Sequence, residues 1–150
     1  MPLHRIYHTP GQFSTEDKKG LANAITELYT TNQHGPHLPA FYVVVLFVPV
    51  EEENFFVEEN FFVGGKNTKN FVRISIQHIA RSFETHDIAK GYIQLYENAL
   101  APFIKEKGYD WEIDIEQIDR NLWRTNGLIP PLSNSDAEKE WVRVNKAVPY

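Results

Sequence analysis

The chain has no cysteine and a single methionine in 150 residues. Without cysteine there is no disulfide framework, no thiolate nucleophile and no Cys-based metal site. Basic charge is in short supply: 15 Lys and Arg face 20 Asp and Glu. The net charge of −5 leaves no electrostatic footprint for nucleic acid. Long apolar runs are missing too, since Phe41 to Val50 is too short to span a bilayer, and no membrane partner is expected. No basic segment followed by an apolar stretch opens the chain, so no signal peptide is expected and a soluble, cytoplasmic protein is. A Gly-rich phosphate loop, a serine elbow and a dinucleotide fingerprint are all absent. No cofactor and no metal are predicted. His4 and His8, four apart on one strand face, and His34 and His37, flanking Gly35-Pro36, show no convergence. Zinc asks for three or four ligands, so these pairs read as unrelated side chains.

What is present is a globular composition, 42% hydrophobic and 13% aromatic. The length fits one domain, 1–150, with a real core. Residues 2–8 read as a strand, broken by Pro10-Gly11. Ser14 reads as the N-cap of a helix from about Thr15 to Thr31, with acids in its first turn and Leu21, Ile25 and Leu28 at helical spacing. Residues 32–39 form a loop by their Gly and Pro content. Phe41 to Val50 has no polar alternation and reads as a strand buried on both faces, parallel to the first. Residues 2–50 are then one βαβ unit.

Glu52-Glu-Asn-Phe-Phe-Val57 repeats at once as residues 58–63. Six residues are too few for a solenoid unit, and an even insertion preserves the facing of a strand. The segment 51–69 is expected to be a hairpin arm with a turn at Gly64-Gly65, its phenylalanines packed on a neighbouring subunit.

The second half repeats the architecture over 70–117. Val72, Ile74 and Ile76 alternate with Arg73, Ser75 and Gln77. Thr85 caps a helix whose apolar stripe is Ile88, Tyr92, Leu95, Ala99 and Phe103, with Pro102 tightening its last turn and Gly108 ending it. Trp111 to Glu116 alternates as the fourth strand. In residues 118–150, Ser135-Asp-Ala-Glu138 starts a short C-terminal helix. The expected class is α+β: a four-stranded mixed sheet with two helices on one face and polar side chains on the other. Arg73 there faces Glu112 or Asp114 across strands.

Chemistry enters at Pro2. An initiator Met before a small residue is normally trimmed, and the exposed proline nitrogen is then a secondary amine, a base or an acid by its surroundings. Pro2 alone is equally an ordinary second residue. The order and spacing of Pro2-Leu3-His4-Arg5-Ile6-Tyr7, Ala24 to Tyr29, Phe62-Val63-Gly64-Gly65, Phe71-Val72-Arg73 with His78 to Arg81, Trp111 to Glu116 and Gly127 to Pro130 carry more. Together they resemble the tautomerase superfamily over most of the chain, in its long-chain form similar to cis-3-chloroacrylic acid dehalogenase.

The resemblance implies the tautomerase-type duplicated βαβ fold, a homotrimer, and an enzyme that works through Pro2 on a small-molecule carboxylate. It implies proton transfer on an unsaturated or 2-oxo acid, a tautomerase or isomerase activity. The alternative is hydratase or dehalogenase chemistry, in which Glu116 activates water and Pro2 donates the proton. It places Arg81 at the second of two substrate-binding arginines, with His78 where the first stands, and Tyr29 where a histidine stands. A non-catalytic trimeric module is the rival reading if Met1 is retained. Each site residue also has an ordinary role: Arg81 in a salt bridge, Glu116 in the row Glu112, Asp114, Glu116 on a polar sheet face, His78 bonded to backbone, Tyr29 capping the helix stripe.

Overall fold

The computed structural model describes residues 1–56 and 70–150. Four strands, β1 (Leu3–His8), β2 (Val44–Pro49), β3 (Phe71–His78) and β4 (Asp110–Gln117), form one sheet in the order β2-β1-β3-β4. β1 runs parallel to β2, β3 runs parallel to β4, and the central β1–β3 pair is antiparallel. Each parallel pair is joined through a helix, α1 (Thr15–Thr30) or α2 (His86–Leu100). This is the duplicated α+β arrangement expected from the sequence. Among the described residues no helix is long and apolar enough to cross a membrane.

Local chemistry sets the helix ends. The Ser14 side chain accepts from the Asp17 N–H while the Asp17 carboxylate accepts from the Ser14 N–H, both at 3.1 Å, a closed capping box. Thr85 caps α2 by accepting from the Ile88 N–H. α2 stops at Leu100, two residues before Pro102, which has no N–H to continue the ladder. Gly108, at φ 75°, closes a short 3-10 turn over Lys105–Lys107, not α2 itself. α3 (Asp136–Val144) starts at Ser135 and ends at Asn145 in the left-handed region.

The core lies between the sheet and the helices. Ile6, Val72, Ile74 and Ile76 from the strands meet Leu21, Ile25, Leu28, Tyr96 and Leu100, all buried. The opposite sheet face is polar over β3 and β4, while over β1 and β2 it carries Leu3, Tyr7 and Leu46. Arg73 pairs with Asp114 at 2.7 Å and also with Glu112. Ser75 donates to Asp114 at 3.3 Å. Trp141 of α3 is fully buried against Phe41 and Tyr42, its indole N–H donating to the Val148 carbonyl at 2.8 Å.

Three expectations need correction. The run 41–50 is not a strand buried on both faces. Ala40–Tyr42 is a 3-10 turn, and β2 lies at the sheet edge with Leu46 44% exposed. The stripe of α2 is wider than expected and lacks Ile88: Tyr96 and Leu100 are buried, Tyr92, Leu95, Ala99 and Phe103 pack partly buried on the core, and Ile88 is 51% exposed. Ile88 lies in the first turn of α2 and lines a cavity, which leaves it open to solvent. The first repeat copy begins as a 3-10 turn, Glu52–Asn54, and not as a strand, while Phe56 stands exposed and Phe55 contacts the Phe71 ring. The second copy and Gly64-Gly65 fall outside the described residues.

Candidate active site

Parallel pairing of β1 and β2 fixes the start of the chain. The Pro2 carbonyl accepts from the Val44 N–H at 3.0 Å, which carries the β1 ladder back to its first residues. Pro2 is buried there. Because β3 runs antiparallel to β1, the end of β3 and the turn after it arrive at the same place. That brings His78 and Arg81 to Pro2. The C-terminal turn of α1 contributes Tyr29. The loop after α1 is folded back by Leu38 N–H donating to the Tyr29 carbonyl at 2.7 Å and Gly35 N–H donating to Asn32 at 2.8 Å. Gly35 has no substitute in this loop, since a Cβ would stand 2.3 Å from the Leu28 carbonyl oxygen.

These elements enclose a cavity of about 380 Å³. Pro2, Tyr29, His78 and Arg81 all line it. Four of the five residues expected from the sequence are thus brought together. Glu116 is not among them. It stands on the polar sheet face, accepting from Gln77 at 2.9 Å, because residues 112, 114 and 116 of β4 point away from the helices.

The walls are mostly apolar and aromatic: Pro36, Leu38, Ile79, Phe83, Ile88 and Leu95. Tyr92 completes them, its ring 5.3 Å from those of His78 and Phe83. Its hydroxyl is buried and faces that of Tyr29. Tyr29 Oη and His78 Nε2 share a hydrogen bond of 2.7 Å. Burial, then the positive chain terminus, pushes His78 down to about 4. Burial, then His78, pushes His4 down to about 3, and its Nδ1 lies 2.9 Å from the Tyr96 hydroxyl. Both imidazoles are therefore neutral at pH 7. Burial drives the Tyr29 and Tyr92 phenols well above their ordinary range, so both keep their protons.

The amine end of the chain is governed by two guanidinium groups. Burial first, then Arg120, then Arg81, push the Met1 amine down from 8.0 to about 4, with Glu138 opposing them. Arg120 was not found by sequence reasoning. It lies 5.6 Å over the Trp123 ring and donates to the carbonyls of Ala80, Pro130 and Pro131. Arg81 is held as a fork. Its two terminal nitrogens donate to the two carboxylate oxygens of Glu138 at 2.9 and 2.8 Å. Ser133 accepts a further bond at 2.9 Å. Glu138, 3% exposed, also accepts from the Asn134 N–H at 2.7 Å. Glu138, Phe83 and the cavity role of Tyr92 were missed as well. Glu138 read as a capping residue, and Tyr92 as one position of an apolar stripe.

The family described as "Putative oxalocrotonate tautomerase enzyme" matches residues 1–146. The chain belongs to this tautomerase family. Native RhCC from Rhodococcus jostii RHA1 is 44% identical, with 99% of each chain covered and a TM-score of 0.84. A probable enzyme from the thermophilic fungus Aspergillus fumigatus is 36% identical over 100% of this chain and 98% of that one, with a TM-score of 0.83. N1, a member of the cis-3-chloroacrylic acid dehalogenase family, shares the fold at 18% identity, covering 93% of this chain and 89% of its own, with a TM-score of 0.64. No curated protein matches. Tautomerase membership, expected from the sequence, holds, and the likeness to the dehalogenase family member is one of fold.

Proposed function

We propose that this chain is a tautomerase that works without a cofactor, with the Pro2 amine, freed by removal of Met1, as its acid–base group. The observation that carries this is the placement of Pro2 in the wall of an apolar cavity, beside neutral His78 and Tyr29. A terminal amine starts near pKa ~8. At this position burial and the Arg120 and Arg81 charges favour the neutral form, as they do for the Met1 amine. A neutral secondary amine takes a proton from the carbon beside a substrate carbonyl. The electron pair moves onto the carbonyl oxygen, and the ammonium so formed, whose protons exchange with solvent, returns a proton to oxygen or to the carbon at the far end of the conjugated system. Nothing is gained or lost, so no co-reactant is needed.

The other groups fit this step. Tyr29, protonated at any working pH, is a donor for the oxygen on which charge develops. Arg120 donates to uncharged backbone carbonyls, which leave its positive charge in place to favour that oxyanion. The hydration alternative has less support. It requires Glu116 beside the amine, and within one chain Glu116 is bonded to Gln77 on the other sheet face.

The test is a ¹⁵N NMR titration of Pro2 in protein lacking Met1, paired with proton exchange at the carbon beside a 2-oxo group. A titration well below ~8, with exchange lost in Pro2→Ala, is the expected result. A titration above ~8 removes the neutral base, and exchange that survives Pro2→Ala removes the role of Pro2.

A further inference from the structure

Arg81 is the residue the resemblance assigns to a substrate carboxylate, and the structure shows a carboxylate already on it. Both terminal nitrogens of its guanidinium are engaged by the two oxygens of Glu138. The side chains are 22% and 4% exposed, so this is a largely desolvated pair. Glu138 is fixed from its own side too. It is the third residue of α3, its N–H accepted by the Ser135 hydroxyl, and its carboxylate is clamped by the Asn134 N–H. Asn134 reaches this position through a left-handed backbone, φ 63°. A buried carboxylate with this many donors is costly to displace, since it would be left unpaired.

We infer that Glu138 is a specificity-determining residue: it occupies the fork of Arg81 and so selects neutral, apolar-bodied carbonyl compounds over carboxylate ones in the Pro2 cavity. This rests on the proton-transfer reading above and names its substrate class. Three further observations agree. Glu138 offsets much of the Arg81 charge, so an incoming carboxylate meets a weakened attraction there. His78 is the other polar group where a carboxylate was expected to bind, and it is uncharged at pH 7. Among the other walls, Leu38, Ile79, Phe83, Ile88 and Leu95 offer an anion only desolvation and suit an aryl or branched alkyl body, and among the described residues no lysine and no second arginine lines the cavity. Arg120 does not replace Arg81, because its N–H groups point to the Ala80, Pro130 and Pro131 carbonyls. It acts on the reacting oxygen by charge alone.

The test uses a pair of probes of one shape, 4-phenyl-2-oxobutanoate and its methyl ester. Dissociation constants are measured by calorimetry on protein lacking Met1, and exchange at C3 is followed by NMR in D₂O. The ester is expected to bind at least about tenfold more tightly than the acid in the native sequence. In Glu138→Gln, which keeps the shape but releases Arg81, the ratio is expected to fall about tenfold or reverse, through KM and not kcat. An acid bound as tightly as its ester by the native protein, or an ester that does not bind, overturns the inference. That comparison needs no variant, so it stands even if Glu138→Gln folds poorly. A ratio unchanged in folded Glu138→Gln also overturns it. Failure of the proton-transfer reading looks different: the ester binds selectively but its C3 protons do not exchange.

Discussion

At the scale of single residues, the site is a set of groups held in their uncharged forms. Pro2→Ala replaces the rigid secondary amine by a primary amine on a looser chain end and is expected to lower kcat/KM about 10²–10⁴-fold, the usual worth of one well-placed general base. Tyr29→Phe removes a proton donor and its bond to His78. The expected loss is about 10–10³-fold in kcat, with KM nearly unchanged, because the donor matters most when charge develops on the substrate oxygen. Steady-state kinetics on one 2-oxo probe decide both. An equal rise in KM would make Tyr29 a ground-state contact. His78 and His4 predict a pH effect on stability. Their folded values, about 4 and about 3, lie below the ordinary 6.5. The unfolded chain therefore binds protons first as pH falls. The stability from keeping them neutral is complete above about 6.5 and is lost on going down through the folded values, at up to about 1.4 kcal/mol per pH unit for each. Urea midpoints between pH 7 and 4 should fall steeply, and less steeply in His4→Asn.

At the scale of elements, the loop after α1 is the most exposed to a small change. Gly35→Ala would drive a methyl against a backbone oxygen at 2.3 Å, so the loop must move. The expected cost is about 1–3 kcal/mol, with a larger fractional loss of activity than of stability, since this loop walls the cavity. Thermal melts beside kinetics would show it, and a variant with native activity would show that the loop does not shape the site. The elements themselves were legible in the sequence where chemistry is local: Ser14, Thr85 and Ser135 mark helix starts through side-chain oxygens that bond three residues ahead. Strands β3 and β4 were legible from strict alternation. The edge position of β2 was not, because an unbroken apolar run is also what a central strand looks like, and only pairing order separates them. The same holds at the site. Pro2, Tyr29, His78 and Arg81 follow from the resemblance and meet in one cavity. Glu138 lies 57 positions from Arg81 and Arg120 meets the chain start from the far end of the sequence, contacts that no short-range spacing encodes. Glu116 fell on the wrong face because strand parity, which the resemblance did not supply, decides it.

At the scale of the molecule, the edge strand has a physical consequence. Among the described residues β2 ends the sheet, with Leu46 half-exposed. Such an edge invites pairing and is normally covered. The homotrimer expected from the resemblance would cover it, and sedimentation equilibrium is expected to give three times 17.4 kDa. Leu46→Lys, placing charge on the edge, should then shift the population toward monomers. A monomeric native protein removes the argument.

The antiparallel junction of β1 and β3 relates the two βαβ halves as near copies, yet once Met1 is removed they differ in the bonding of one nitrogen. β1 opens with the chain's own end. β3 opens at Phe71, inside the chain, where the nitrogen is an amide. Duplicating the scaffold therefore did not duplicate the reagent. An electrophile aimed at a basic proline nitrogen has one target per polypeptide, so its titration should reach an end point at a single equivalent per chain, whatever the assembly.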